Sequence, residues 1–145
     1  MIIPPLPIIP PRVRGIPVHV DILQRRVATA RGVWPFKRIV VGENFFYLTQ
    51  KQQMAFLLHE VGHCKKMHME KRLLSLPWLL IDPERNIAQA KEQEHEADEF
   101  AAREGYGVEL LSGLKKFTGE SGVFYPTLEA RAKRINALTG EHHGG

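Results

Sequence analysis

Residues 49–67 read TQKQQMAFLLHEVGHCKKM, and this stretch decides how the rest of the chain must fold. Its first four residues form a capping-box pattern. In that pattern Thr49 accepts from an unpaired backbone amide, while Gln52 reaches back to the backbone of Thr49. Apolar and small residues then recur at helical spacing. The stretch therefore predicts a helix that begins just after Thr49 and turns one face toward the protein core.

Two histidines lie four residues apart on this helix, His59 and His63, with Glu60 between them. One helical turn separates the two imidazoles, so both can reach one metal ion while Glu60 reaches a water molecule bound to it. Glycine inside a helix costs about 1 kcal/mol relative to alanine, so Gly62 indicates that another backbone approaches closely. The spacing predicts a catalytic zinc site. The alternative is a core helix with two hydrogen-bonded histidines.

Residues 82–105 predict a second helix, which starts with Asp82 as N-cap and a proline in the first turn. One stripe of this helix is small and apolar except for two carboxylates, Glu94 and Asp98. The periodicity selects Glu94 as the third zinc ligand, and it places Asp98 where it can accept the outer N–H of a ligand histidine. A second stripe is wholly charged and is expected to face solvent: Glu92, Glu96, Glu99 and Arg103.

The length and composition predict one domain, since 145 residues with 43% hydrophobic content support a single core. We divide the chain into a proline-rich arm at residues 1–14, a domain at residues 15–140 and a tail at residues 141–145. A strand is expected at residues 15–20, a helix capped by Asp21, and two strands within residues 38–48. The predicted fold is α+β, with the two helices packed on a short, mostly antiparallel sheet.

Cysteine content and hydropathy predict a cytoplasmic protein. Cys64 is the sole cysteine, so no disulfide can form within the chain. The first residues lack the pattern of a secretory signal. The apolar run at residues 73–81 is interrupted by Pro77 and is far shorter than the roughly 20 residues that span a bilayer. We therefore expect no transmembrane segment, although this run could still make peripheral contact with a membrane.

The net charge of +4 would permit contact with nucleic acid, because Lys and Arg neutralise phosphate. The basic residues are scattered, however, and no aromatic residues interleave with the densest group at residues 65–72 as a base-stacking surface would require. We expect a solvated helix surface and no specific nucleic-acid partner.

Three motifs carry a family resemblance: LLHEVGH at residues 57–63, EHEADEFAA at residues 94–102 and YPTLEAR at residues 125–131. Together they resemble the gluzincin zinc metallopeptidases of the HtpX and CAAX-prenyl-protease-like family, in the small soluble form called minigluzincins. The resemblance covers roughly residues 38–138. It implies a zincin-like fold and one catalytic Zn²⁺.

Position by position, the resemblance implies a full set of site residues. The implied zinc ligands are His59, His63 and Glu94. Glu60 would be the general base, and Asp98 would orient a ligand histidine. The implied catalytic group also includes Arg131, which matches an arginine near the family's active site, and Tyr125. Tyrosine stands here where the family has histidine, and its hydroxyl can donate to a developing oxyanion.

The predicted function is that of a zinc-dependent endopeptidase, with a protein or peptide substrate lying extended along an exposed strand edge near residues 38–48. A further hypothesis is latency, with the arm or the tail occupying the cleft. Two alternatives stay open. One is a regulatory peptidase of the ImmA/IrrE type that cleaves a repressor, a weaker resemblance because Asp98 replaces its asparagine. The other is a non-catalytic binding module stabilised by zinc. The oligomeric state is left open.

The remaining distinctive side chains are expected to be structural. Because Cys64 points away from the metal face of the helix, we expect it to be a small buried side chain. We expect His68 and His95 to be packing or hydrogen-bonding residues. Five aromatic residues are expected in the core: Trp34, Phe36, Phe45, Phe46 and Phe56.

Overall fold

The computed structural model describes residues 9–117 and 124–141, and in these ranges a four-stranded sheet packs beside six helices. This is the predicted α+β class. The strands are β1 (Arg12–Val13), β2 (Ile16–Val20), β3 (Ala28–Arg31) and β4 (Arg38–Val41). The helices are α1 (Gln50–Lys65), α2 (His68–Leu74), α3 (Leu76–Ile81), α4 (Pro83–Arg103), α5 (Gly107–Lys116) and α6 (Leu128–Glu141).

The sheet has the strand order β1-β2-β4-β3. β1 with β2 and β3 with β4 are antiparallel pairs, and only β2 with β4 is parallel. The prediction of a short, mostly antiparallel sheet is confirmed. β1 falls inside the predicted arm and joins it to the sheet, while residues 1–8 and 142–145 lie outside the described residues.

Helix α1 lies at the centre of the fold. Its predicted capping box is present: the backbone N–H of Gln52 donates to Thr49 Oγ1 over 3.2 Å, and the backbone N–H of Thr49 donates to Gln52 Oε1 over 3.0 Å. Every residue from 55 to 64 is buried, so α1 is covered on all sides rather than along one stripe. A helix covered all round is a core element. Cys64 is buried among the core residues, as predicted.

Helix α4 crosses α1 at Gly62. A Cβ at this position would lie only 3.0 Å from the Cα of Ala97 and 2.9 Å from the Cβ of Phe100. Real side chains do not make such contacts, so only glycine allows the two helices to approach this closely. The predicted close approach is confirmed, and it brings together the faces of α1 and α4 that carry the predicted ligands.

The predicted helix after Asp21 is wrong, because its last residues form β3. Strand β3 pairs with β4 in the register Ala28 with Val41 and Ala30 with Ile39. The side-chain amide of Gln24 donates to the backbone carbonyl of Val40 over 3.0 Å. These bonds to β4 outweigh a weak helical spacing, which is the usual way tertiary contacts override local propensity.

The second strand predicted within residues 38–48 is also wrong. Glu43–Tyr47 forms a 3-10 helix. At Gly42 a Cβ would lie 2.4 Å from the backbone oxygen of Arg26, so the chain is pressed against a neighbouring segment and turns there. The turn buries Phe45 and leaves Tyr47 exposed.

The aromatic residues divide between core and surface. Phe45 and Phe56 are buried as predicted. Trp34 and Phe36 are 73% and 76% exposed, so their prediction as core residues is wrong. Both lie in the loop that follows β3. The backbone N–H of Trp34 donates to Glu70 Oε1, and this hydrogen bond connects the loop to α2. Within residues 9–117 and 124–141, no helix combines the length and apolar character needed to cross a membrane.

Candidate metal centre

Three side chains from α1 and α4 bring their polar atoms to one point. His59 Nε2 lies 3.1 Å from His63 Nε2 and 3.1 Å from Glu94 Oε2, and His63 Nε2 lies 3.2 Å from Glu94 Oε1. All three side chains are buried. The structure therefore brings together the three predicted ligands from positions 59, 63 and 94.

These separations fit ligands arranged around one ion. Around a tetrahedral zinc with ligand distances of about 2.0–2.1 Å, neighbouring ligand atoms are about 3.3–3.4 Å apart. The three observed distances agree with this to a few tenths of an ångström. His59, Glu60 and His63 form a buried group that could hold a metal ion. Glu94 faces the same point from the neighbouring helix.

Glu60 borders this point without belonging to the triangle. Its Oε1 is 3.9 Å from His59 Nε2, and the side chain is buried. Burial raises the pKa of Glu60 above its ordinary value, which the nearby imidazoles of His59 and His63 only partly offset. A carboxylate with a raised pKa is a better proton acceptor than an exposed one.

The outer nitrogen of His59 faces Asp98, as predicted. His59 Nδ1 lies 2.9 Å from Asp98 Oδ1. Arg131 holds the same carboxylate with two hydrogen bonds, from Nε to Oδ2 over 2.8 Å and from Nη2 to Oδ1 over 2.7 Å. Arg131 also lines the cleft beside His59, but its guanidinium grips Asp98 and thereby positions His59 through that carboxylate.

The outer nitrogen of His63 faces His68, a contact that the sequence analysis missed. His63 Nδ1 and His68 Nδ1 are 2.8 Å apart, and His68 Nε2 is 3.3 Å from Glu96 Oε2. His68 is therefore a hydrogen-bonding residue, as predicted, but its partner is His63, one of the predicted metal ligands. Met67, at φ +57°, lies between the end of α1 and the start of α2 and turns the chain there. Spacing along a continuous helix could not have shown this.

One set of tautomers satisfies the contacts of His63 and His68 together. Burial and the neighbouring His63 lower the pKa of His68 to about 4, so His68 is neutral near pH 7. If His63 keeps the Nε2 lone pair for a metal, its Nδ1–H donates to His68 Nδ1. The Nε2–H of His68 then donates to Glu96. Both ligand histidines thus have the partner on the outer nitrogen that is typical of metal sites.

The charges in the centre stabilise one another. Burial alone would lower the pKa of His59, but hydrogen bonds and charges from Asp98 and Glu94 together raise it to about 10. Burial alone would raise the pKa of Glu94, but His59 and His63 hold it well below its ordinary value. A buried carboxylate is costly without a cation, so this centre is built to hold positive charge.

A cleft with a volume of about 70 Å³ opens beside the three donor atoms. A water molecule occupies about 30 Å³ in the liquid, so this volume holds one or two small groups. Tyr125 lines the cleft, with the guanidinium of Arg26 stacked 5.2 Å from its ring centre. The structure thus places Tyr125 in the wall of the cleft beside the candidate metal centre.

The strand edge that faces the cleft is β3, not β4. β4 is paired on both sides, so the predicted role of residues 38–48 as the exposed substrate edge is wrong. Among the described residues, β3 pairs only with β4 and is an edge strand. Its residues Ala28, Thr29 and Ala30 line the cleft, and the backbone of Ala30 hydrogen-bonds Glu60.

Comparison with protein-family models, with curated proteins and with solved structures finds no match to this chain.

Proposed function

We propose that this protein is a zinc-dependent endopeptidase of the gluzincin type. The observation that supports this most strongly is the triangle formed by His59, His63 and Glu94, with Glu60 and an open cleft beside it. Two imidazoles and one carboxylate form the donor set of a catalytic zinc site that leaves its fourth position to water or substrate. The Zn²⁺ ion is our assignment from this donor set.

A zinc ion held by these residues would lower the pKa of a bound water toward about 7 and polarise a peptide carbonyl. Glu60 is the general base in this proposal. Its carboxylate accepts the proton from the attacking water and later delivers it to the leaving amine. Tyr125 is the proposed donor to the oxygen of the tetrahedral carbon, since a phenol can stabilise a developing negative charge.

The substrate in this proposal is an extended peptide paired with β3. Within the described part of the chain, one edge of β3 pairs with no other strand and offers backbone N–H and C=O groups, and the contact between Ala30 and Glu60 brings that edge next to the base. An added strand along this edge would place successive peptide carbonyls beside the metal centre. Such binding depends mainly on the backbone, so side-chain preference must come from pockets around it.

A purely structural zinc site is the less favoured reading. Structural sites are typically closed by four protein ligands. Here the cleft borders the donor atoms, and a buried carboxylate with a raised pKa stands at the position of a base. Neither feature serves a site whose only role is to hold the fold together.

The proposal is tested by Glu60→Gln. The variant should bind one zinc per chain, like the wild type, and should cleave a peptide library about 10²–10⁴-fold more slowly because general-base catalysis is lost. Glu84→Gln, on an exposed carboxylate at the start of α4, is the matched control and should keep wild-type rates. Equal cleavage by Glu60→Gln and the wild type would remove Glu60 as the base.

A further inference from the structure

A second cavity, with a volume of about 330 Å³, lies directly beside the metal cleft. Four residues line both spaces: Arg26, Arg72, Glu94 and Tyr125. The two spaces are therefore neighbours, and a group bound in the larger cavity would lie next to the metal centre. The volume is at the lower end of the range of about 300–1,000 Å³ that is typical of ligand pockets, and it admits the largest amino-acid side chains.

Much of the cavity wall is apolar, and part of it comes from the segment between the two ligand-bearing helices. Leu76 and Leu79, three residues apart on α3, form one side. Ala90, one turn before Glu94 on α4, and Phe124 are also apolar parts of the lining. Burying an apolar side chain of a substrate against such walls gains about 25 cal/mol per Å² of area removed from water.

The charged residues in the lining are mostly basic, and contacts hold both arginines in place. Arg72 Nε donates to Gln93 Oε1 over 2.6 Å, and Arg72 Nη2 lies 3.6 Å from Glu94 Oε1. Arg26 is held over the ring of Tyr125. Among residues 9–117 and 124–141, Glu94 is the one carboxylate that lines the cavity, and in the proposed enzyme its charge is taken up by zinc. A lysine or arginine side chain would therefore meet like charge from Arg26 and Arg72, and no second carboxylate of these described residues would receive it.

We propose that this cavity is the specificity pocket of the enzyme, which takes a large uncharged side chain of the peptide substrate close to the scissile bond and rejects lysine and arginine. The inference rests on the proposed peptidase function and adds its substrate class. It also assigns a role to α3, whose Leu76 and Leu79 build the wall of the pocket.

The test uses zinc-loaded Glu60→Gln protein, which should hold peptides without cleaving them. The probes are dye-labelled hexapeptides of alanine and serine that differ at one guest position, with binding followed by fluorescence anisotropy. Peptides with leucine or phenylalanine as guest should bind at least about 10-fold more tightly than the peptide with lysine, a ratio typical of apolar pockets. Equal binding of leucine and lysine peptides, or no binding of any peptide, would overturn the pocket.

A matched pair of variants on α3 locates the effect. Leu79→Asp places an anion in the pocket wall and should raise the binding of the lysine peptide relative to the leucine peptide by at least about 10-fold, because it supplies the missing opposite charge. Leu80→Asp, at a side chain that is 91% exposed and outside the pocket lining, should keep the wild-type preference. An identical shift in both variants would exclude a pocket at α3.

A second pair on α4 tests the volume of the pocket. Ala90→Phe fills the cavity and should bring the ratio of leucine to lysine binding close to one, whereas Ala88→Phe, on an exposed face of the same helix, should leave it unchanged. The proposal of a peptidase and the proposal of a specificity pocket can be disproved separately. Cleavage by wild type without guest preference overturns the pocket alone, and guest preference in binding without any cleavage overturns the peptidase alone.

Discussion

The junction of α1 and α4 and the segment of α2 and α3 that connects these helices have opposite patterns of burial. The junction buries side chains that carry charge or can take it up, each at most 7% exposed: His59, Glu60, His63, Glu94 and Asp98. The α2–α3 segment exposes apolar side chains: Leu73, Leu74, Leu76, Trp78, Leu79, Leu80 and Ile81. Proteins usually do the reverse, so each region indicates a separate functional demand.

The opposite burial patterns indicate that the two regions have different functions. Buried charge is tolerated when partners or a cation compensate for the lost water, and the junction supplies both. Exposed leucines carry no comparable desolvation penalty, but a cluster of them marks a contact surface. The junction is thus the proposed reactive centre, and α3 is the proposed wall of the pocket that selects the substrate.

Asp98→Asn removes the buried ion pair between Asp98 and Arg131 at the junction. Among the changes that affect stability and zinc affinity, it should have the largest combined effect. Arg131 would keep its buried charge with no full opposite charge beside it, so the free energy of unfolding should fall by about 3 kcal/mol. Zinc affinity should fall about 10–100-fold, because His59 loses the carboxylate on its outer nitrogen. Urea unfolding and a zinc-chelator competition measure the two effects.

A matched change at the surface gives the control for Asp98→Asn. Glu99→Gln removes one carboxylate of the partly exposed Arg134 ion pairs and should cost less than about 1 kcal/mol. If the two variants lose the same stability, the buried pair is not special and the contrast between junction and surface fails.

Zinc binding at pH 7 should release about one proton from the junction. Asp98 and Glu94 raise the pKa of His59 to about 10, so its imidazole is charged without metal and must become neutral to bind zinc. Calorimetry in two buffers of different ionisation enthalpy counts the proton. No proton release at pH 7 would show that His59 is already neutral.

The same shift has a defined effect on the metal-free protein. A pKa raised in the folded state stabilises it below the unfolded value near 6.5, and this stability is lost as pH rises through about 10. The lowered pKa values of Glu94 and Asp98 act in the other direction, and their contribution is lost as pH falls below their ordinary values. The free energy of unfolding of the metal-free protein should therefore fall toward both low and high pH.

A smaller effect is expected for His68→Gln, which removes the partner on the outer nitrogen of His63. Zinc affinity should fall by about 10-fold, at the lower end of the range for such partners, because His68 is neutral while Asp98 carries a charge. His19→Gln, at an exposed histidine of β2, is the control. Unchanged zinc affinity in His68→Gln would reduce His68 to a packing residue.

The smallest effect on stability is expected for a substitution on the exposed surface of α3. Leu80→Lys replaces a side chain that is 91% exposed and should change the free energy of unfolding by no more than about 0.5 kcal/mol. Leu58→Ala, in the buried part of α1, should cost about 2–5 kcal/mol. Thermal unfolding compares the pair. A large loss in Leu80→Lys would mean that the exposed leucines support the fold.

The sequence allowed the two ligand-bearing helices to be predicted, because their signals are local. The capping box at Thr49 and the proline at the start of α4 each act within a few residues. The same helical spacing selected Glu94 and Asp98. Local rules therefore covered the part of the candidate site that lies on regular helices.

The features that were missed depend on contacts between distant segments. Strand β3 was mistaken for helix because its pairing with β4 is set by the sheet. The contact of His68 with His63 depends on the left-handed turn at Met67, and the role of Arg131 depends on how α6 meets α4. None of these can be read from spacing along one element.

The central claim is that His59, His63 and Glu94 hold one zinc ion beside Glu60. Anomalous diffraction at the zinc edge from crystals of the zinc-loaded protein tests it most directly. We expect one peak per chain at about 2.0–2.2 Å from His59 Nε2, His63 Nε2 and a Glu94 oxygen, with the fourth position open to the cleft. A peak elsewhere, or a zinc closed off by a fourth protein ligand, would contradict it.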